Sequence, residues 1–196
     1  MVSAKSKIGE LIIEVDNDSI YNPRQWDNLG KMLCFHSRYN LGDANTKYRT
    51  EDYNSWEEME RDILKKEDVA VILPLYLYDH SGITMNTTGF NRIDSYGWDW
   101  GRIGFIFTTK DNVRNCYNVK RITKNLLERV KEHLLSEVNE YDDYISGNVY
   151  RFDIYDGNGE YVDGCGGFFG SDWDNNGMKD QIPFEYLDLV DKLEWR

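Results

Sequence analysis

The chain has 196 residues, 40% hydrophobic and 14% aromatic, with 35 Asp/Glu against 23 Lys/Arg and a formal net charge of −12. That length suits one domain with a substantial core, and no window reaches the roughly 18 consecutive apolar residues of a membrane-spanning helix. The charge disfavours non-specific binding to nucleic acid or to an anionic membrane and favours a cationic partner or simple solubility.

The opening "MVSAKSKIGELIIEV" lacks the apolar h-region and small-residue cleavage site of a secretory signal, so a cytoplasmic protein is expected. "GELIIEVDND" (9–18) reads as a strand closed by turn residues. After an Asn-Pro break, residues 32–37 read as a short extended segment and "NLGD" (40–43) as a turn. "SWEEMERDILKKED" (55–68) predicts a helix: Ser55 and Glu58 form a capping box, and Trp56, Met59, Ile63 and Leu64 form its apolar face. "VAVILPLYLYD" (69–79) is an apolar run of strand length whose Pro74 predicts an edge position or a bulge. "GITMNTT" (82–88) and "GRIGFIFTT" (101–109) add two strands. "RITKNLLERVKEHLLSEVNEYDDYI" (121–145) predicts a long helix with Ile122, Leu126, Val130, Leu134 and Val138 in one stripe. "GNVYRFDIYDGNGEYVDGCGGFFG" (147–170) reads as a hairpin turning at "DGNG", and 183–195 as a short amphipathic helix. Hairpin signals outnumber βαβ spacings. The expectation is a single α+β domain over 1–196: a mostly antiparallel sheet with one long and one or two short helices packed on it, and a possible subdomain in the acidic third, 137–196.

Charge is unevenly spread. Residues 102–131 carry eight Lys/Arg and two acids, whereas 137–196 carry fifteen acids and four basic residues. Cys34, Cys116 and Cys165 show no metal-type spacing and read as reduced, partly buried thiols.

Three stretches are candidates for chemistry. In Asp79-His80-Ser81-Gly82 an apolar strand ends in groups suited to acid–base work. Strand geometry sends neighbouring side chains to opposite faces, so His80 needs another acid, Asp94 or Asp99. No G-x-S-x-G elbow supports Ser81 as a nucleophile, and the stretch is also ordinary turn chemistry. In "YGWDWGRIGF" (96–105), Trp98 and Trp100 would share one strand face; exposed they suit partner binding or base stacking, and core burial is the expected outcome. Asp172, Asp174, Asn176 and Gly177 follow the start of a calcium loop, but position 12 is Pro183, so a polar loop is the better reading. No His pair has zincin spacing. No metal or other cofactor is expected.

The carboxylates Asp142, Asp143, Asp153, Asp156, Glu160, Asp163, Asp172 and Asp174 fall within 33 residues. So spaced, they can imitate a row of phosphates and offer a Lys/Arg-lined channel the charges it binds. The alternative is a solvated acidic surface.

"NPRQWDNLGKMLCFHSRYNLGD", "VILPLYLYDHSGITMNT", "GRIGFIF" and "YDDYISGNVYRFDIYD…YVDGCGGFFG" together resemble a family of small proteins encoded by phages and mobile elements of bacteria, over most of the chain. The family's middle reads Phe-Ser-x-x-Trp-Asp-x-Gly-x-x-Gly-Phe, and "NRIDSYGWDWGRIGF" departs from it in the lead-in. The resemblance implies a phage accessory protein acting in the bacterial cytoplasm, a setting in which small acidic anti-defence proteins, anti-CRISPR proteins among them, are common. It carries over no catalytic residue. With the acidic segment, it leads to the expectation of an inhibitor that binds the positively charged nucleic-acid channel of a host defence nuclease such as a Cas9-type effector. The alternatives are an enzyme acting on nucleic acid through Asp79, His80 and Asp99, or a regulatory or structural phage protein.

Overall fold

The computed structural model describes residues 1–18, 21–45 and 47–195. The architecture is α+β with antiparallel strand pairing throughout the described ladders. The strands form two sheets rather than the one expected, and the chain divides into two compact units: residues 1–21 with 143–196, and residues 22–142.

The first unit holds β1 (Val2–Lys5), β2 (Gly9–Val15), β7 (Val149–Asp156), β8 (Tyr161–Phe169) and β9 (Glu194–Trp195), ordered β8-β7-β2-β1-β9. Alternation sets its inner face: Val2 and Ala4, Leu11 and Ile13, and Phe152 and Ile154 all point into one core. Met178 and Ile182 close that core with Tyr186, Leu189 and Val190 of a 3-10 helix, Phe184–Lys192. The amphipathic pattern at 183–195 thus folds as a 3-10 helix followed by a two-residue strand. The β7–β8 hairpin turns at 157–159. Asp156 caps it, accepting the Asn158 and Glu160 N–H groups at 2.8 and 2.9 Å.

The second unit holds β3 (Lys31–Cys34), α1 (Trp56–Lys66), β4 (Val69–Asp79), β5 (Ile83–Asn86), β6 (Trp100–Thr109), α2 (Lys110–Cys116) and all but the last turn of α3 (Lys124–Ser146), with sheet order β3-β6-β4-β5. Leu33, Phe105 and Phe107 pack on Met59 and Ile63 of α1. Ile106 points the other way and meets Leu134 of α3 beside Gly30, where an added Cβ would lie 2.5 Å from Leu134 and 2.9 Å from Ile106. Coverage of both faces explains the unbroken Phe-Ile-Phe run in β6.

Ser55 caps α1 by accepting the Glu58 N–H at 3.2 Å, while the Glu58 carboxylate returns to the Asn54 N–H at 2.8 Å, one residue before the position a capping box uses. Leu64 is exposed, so it is not part of the apolar face. Pro74 pairs with Phe105, and β5 pairs only with residues 76–79 of β4; Pro74 therefore sits where β4 has one described neighbour, next to a bulge at Leu75/Tyr76.

One buried ionic cluster ties the segment before β3 to α3. Glu137, 6% exposed, accepts the Leu29 and Gly30 N–H groups at 2.8 and 3.1 Å and the Arg24 guanidinium at 2.9 Å. Arg24 also forks onto Asp43 at 2.8 and 3.0 Å and donates to the Gly30 carbonyl at 2.6 Å. Burial acts to lower the Arg24 pKa, but the hydrogen bonds and charges of Asp43 and Glu137 outweigh it and raise it above its ordinary value.

Candidate functional site

At the open end of the second sheet, β4 runs out at Asp79 and the chain reverses through His80, Ser81 and Gly82. Ser81 adopts the left-handed region (φ 57°) that a tight reversal needs. The neighbouring pair is split, as strand geometry requires. Asp79 pairs with Arg38 and accepts the Tyr39 hydroxyl at 3.3 Å. His80 turns to Asp99, with Nδ1 3.1 Å from Oδ2. The three residues read as a potential acid–base group thus meet at one end of the sheet, with Asp99 as the acid beside His80.

This arrangement orients the imidazole through Nδ1 and leaves Nε2 for a proton on a bound molecule. Asp79 and Asp99 line a cleft of about 440 Å³ together with Arg38, Trp98 and Arg102. His80 is not on its wall and reaches it only through Asp99. The His80 and Asp99 side chains are 61% and 42% exposed, so the pair is solvated and contributes about 0–1 kcal/mol to stability. Arg102 stacks over Phe105, 4.4 Å from the ring centroid, and donates to Glu60 at 3.0 Å. Its buried Nε has no hydrogen-bond acceptor among the described residues.

The loop leading into β6 is held by a single carboxylate. Asp94 accepts the N–H groups of Tyr96 and Gly97 at 3.0 and 3.1 Å and those of Trp98 and Asp99 at 2.6 and 2.9 Å. These bonds, that from Asp99 first, hold its carboxyl below the usual aspartate value despite opposing desolvation. The Trp100 indole donates to the Asp94 carbonyl at 2.7 Å and packs against Tyr76 and Phe90. Gly89 lets the ring approach; an added Cβ would lie 2.8 Å from it, at a φ of 81°. The expected burial of both tryptophans fails for Trp98, which is 86% exposed beside Tyr96 at 87%. The cause is local: β6 begins at Trp100, so Trp98 belongs to the Asp94 loop and strand alternation does not reach it.

The acidic residues do not behave as one row. Asp142 lies in the second unit, half-buried, where it accepts the Met85 N–H at 2.6 Å and the Thr84 hydroxyl at 2.9 Å and so holds β5. Burial pushes its carboxyl above the usual value. In the first unit Asp143 is half-buried, Asp153 forks with Arg151 at 3.0 and 3.2 Å, and Asp156 is spent on its turn. Glu160, Asp163, Asp172 and Asp174 are exposed. Asp174 pairs with Lys179; Glu160, Asp163 and Asp172 meet no Lys or Arg among the described residues. Asp172 instead accepts the Asn175 side-chain amide at 2.9 Å, local bonding of a polar loop. Among the described residues no group of three or more His, Cys, Asp or Glu could hold a metal ion.

Sequence reasoning missed Arg38 and Arg102 beside the cleft and the organising role of Asp94. Only Asp94 left a signal, in the Asp-Ser-Tyr-Gly spacing of an Asx-type turn. All three cysteines are free; Cys34 is half-buried, but Cys116 and Cys165 are exposed, against the expectation of partial burial. Among the described residues no helix is long and apolar enough to cross a membrane. No protein-family model, no curated protein and no solved structure matches the chain.

Proposed function

We propose that this protein is a non-catalytic inhibitor that places the acidic surface of its first unit in the positively charged nucleic-acid channel of a bacterial defence nuclease, of which a Cas9-type effector is the model case. The observation that carries this reading is charge segregation. The first unit has sixteen acids against six basic residues, a net −10, which leaves −2 for the second. A partner built to hold phosphates presents the complementary field, and such complementarity speeds encounter and fixes register. The exposed and unpaired carboxylates, Glu160, Asp163 and Asp172, are the contact residues this reading favours, with Asp174 beside them; Asp142, Asp153 and Asp156 have structural partners instead. The cellular setting rests on the family resemblance of the sequence.

The test is cleavage of target DNA by a purified Cas9-type nuclease with its guide, titrated with the protein. Complete inhibition is expected near one equivalent, with an affinity that falls steeply with salt. Changing Glu160→Gln, Asp163→Asn, Asp172→Asn and Asp174→Asn together should weaken inhibition at least tenfold. Inhibition that survives this change, or that is insensitive to salt, overturns the mimicry.

The His80–Asp99 contact favours a second reading, a hydrolase or nuclease acting on nucleic acid. Asp99 would orient His80 as a general base, and Arg38 would meet phosphate. That enzyme would inactivate its target below one equivalent and lose this ability in His80→Ala, whereas an inhibitor would be unaffected by that change.

A further inference from the structure

The most basic stretch of the chain, residues 102–131, is used neither by the acidic surface nor by the cleft between Asp79 and Asp99, apart from Arg102 and Ile103 at the cleft wall. Within it α2, the loop that follows and the start of α3 enclose a pocket of about 400 Å³. Lys110, Arg114, Lys120 and Arg121 line it, and Ala70, Ile122 and Leu127 supply apolar lining. We propose that this pocket binds a small phosphorylated ligand with a flat apolar body, of the size and chemistry of a mononucleotide.

Three observations converge on that chemistry. First, four cations share one concavity in a protein of net charge −12, and their mutual repulsion is only half relieved. Lys110 pairs with Asp68 at 2.6 Å and Arg114 with Asp111 at 2.7 Å, while Lys120 and Arg121 make no ion pair or hydrogen bond among the described residues. Both carboxylate partners are exposed, at 65% and 81%, so a phosphate can replace them at little cost. Arginine and lysine together offer forked and point-charge contacts to phosphate oxygens.

Second, the apolar lining is firm. Ala70 and Ile122 pack on the cluster of Leu29, Val113, Leu126 and Val130. A bare phosphate would leave that lining wet, whereas a ligand with a planar ring would cover it. The volume lies in the range of small-molecule sites, roughly 300–1,000 Å³.

Third, the reach of the four cations selects for size. A mononucleotide stays within about one Debye length, ~8 Å, of all of them, whereas most phosphates of a long polyanion would lie beyond it.

The experiment is a titration of the intact protein with adenosine and guanosine mono-, di- and triphosphates, with inorganic pyrophosphate and with a twelve-nucleotide single strand. It is followed by amide chemical-shift changes in two-dimensional NMR and by calorimetry. Saturable shifts are expected over residues 110–127 with at least one nucleotide, and weaker binding of pyrophosphate. The double change Lys120→Glu and Arg121→Glu, at exposed and unpaired positions, should weaken binding at least tenfold. Asp68→Asn, which frees Lys110 and suits the positive φ of 44° there, should tighten it two- to tenfold. The proposal is overturned if no nucleotide binds at millimolar concentration, if shifts map elsewhere, if Lys120→Glu/Arg121→Glu binds as wild type, or if the oligonucleotide binds through these residues while mononucleotides do not.

Discussion

Replacing Glu137 by Ala should cost the second unit about 3–5 kcal/mol, the range for removing one partner of a buried ion pair. The structure shows why the upper part of that range is reachable. The Arg24 side chain is 3% exposed and that of Glu137 6%, so water does not readily replace the lost acceptor. Three donors lose it at once: the Leu29 N–H, the Gly30 N–H and the Arg24 guanidinium. Each orphaned donor costs about 1–3 kcal/mol, and Asp43 remains to hold part of the Arg24 charge. Urea unfolding followed by fluorescence reads the loss. With a slope of about 2 kcal/mol per molar, the midpoint of the transition belonging to residues 22–142 should fall by about 1.5–2.5 M. Glu137→Gln keeps one carbonyl acceptor for the N–H pair and should lose roughly half as much. A loss below about 1 kcal/mol for Glu137→Ala would refute the claim that this cluster holds the segment before β3 to α3.

Burial raises the Asp142 carboxyl, so the folded state takes up its proton at a higher pH than the unfolded chain does. Stability of wild type relative to Asp142→Asn should therefore rise as pH falls through the elevated folded value and be lost as pH rises through it; parallel curves from pH 4 to 8 would contradict this. Burial, with the Asp43 charge adding, pushes the Cys34 thiol up to about 12, so a disulfide-exchange reagent at pH 8 should label the exposed Cys116 and Cys165 first and Cys34 much more slowly; labelling of three thiols at one rate would rule this out. Asp94→Ala frees four N–H groups, so amide exchange at Trp98 and Asp99 should accelerate at least tenfold while β6 beyond Ile103 stays protected. Unchanged exchange would show that the aromatic loop is held by something else.

What could be read in advance was what local chemistry determines. The α3 stripe from Leu126 to Val138, the Ser55 cap, the Asp156 turn and the bulge beside Pro74 each depend on residues within a few positions, whereas Ile122, read as the start of that stripe, lies before α3. The seven-residue α2 escaped because only Val113 is buried, too little for a period to show; its cap, Thr109 accepting the Asn112 N–H at 3.2 Å, is the sole local mark. Glu137 reads as a charged flank beside the Val130–Val138 stripe because its partners lie 107 to 113 residues away. The same distance problem hid the division into two sheets: β2 takes β7 as its partner, from Gly9↔Asp156 to Val15↔Tyr150, and local pattern does not report such pairing. At the sheet end, the sequence could separate Asp79 from His80, but only the β4–β6 register brings Asp99 to His80.

The way the first unit is assembled also orders events during synthesis. β1 and β2 leave the ribosome before their partners, as a lone hairpin, a form of marginal stability in water, and β7 and β9 follow only after the whole of residues 22–142. The second unit is continuous and can complete itself meanwhile. The β2 edge must therefore stay unpaired for well over a hundred residues of elongation. Its exposed Glu14 puts a carboxylate on an outward position of that waiting strand, where like charges discourage it from pairing with copies of itself on neighbouring ribosomes, while Glu10 pairs with Lys5 across the hairpin.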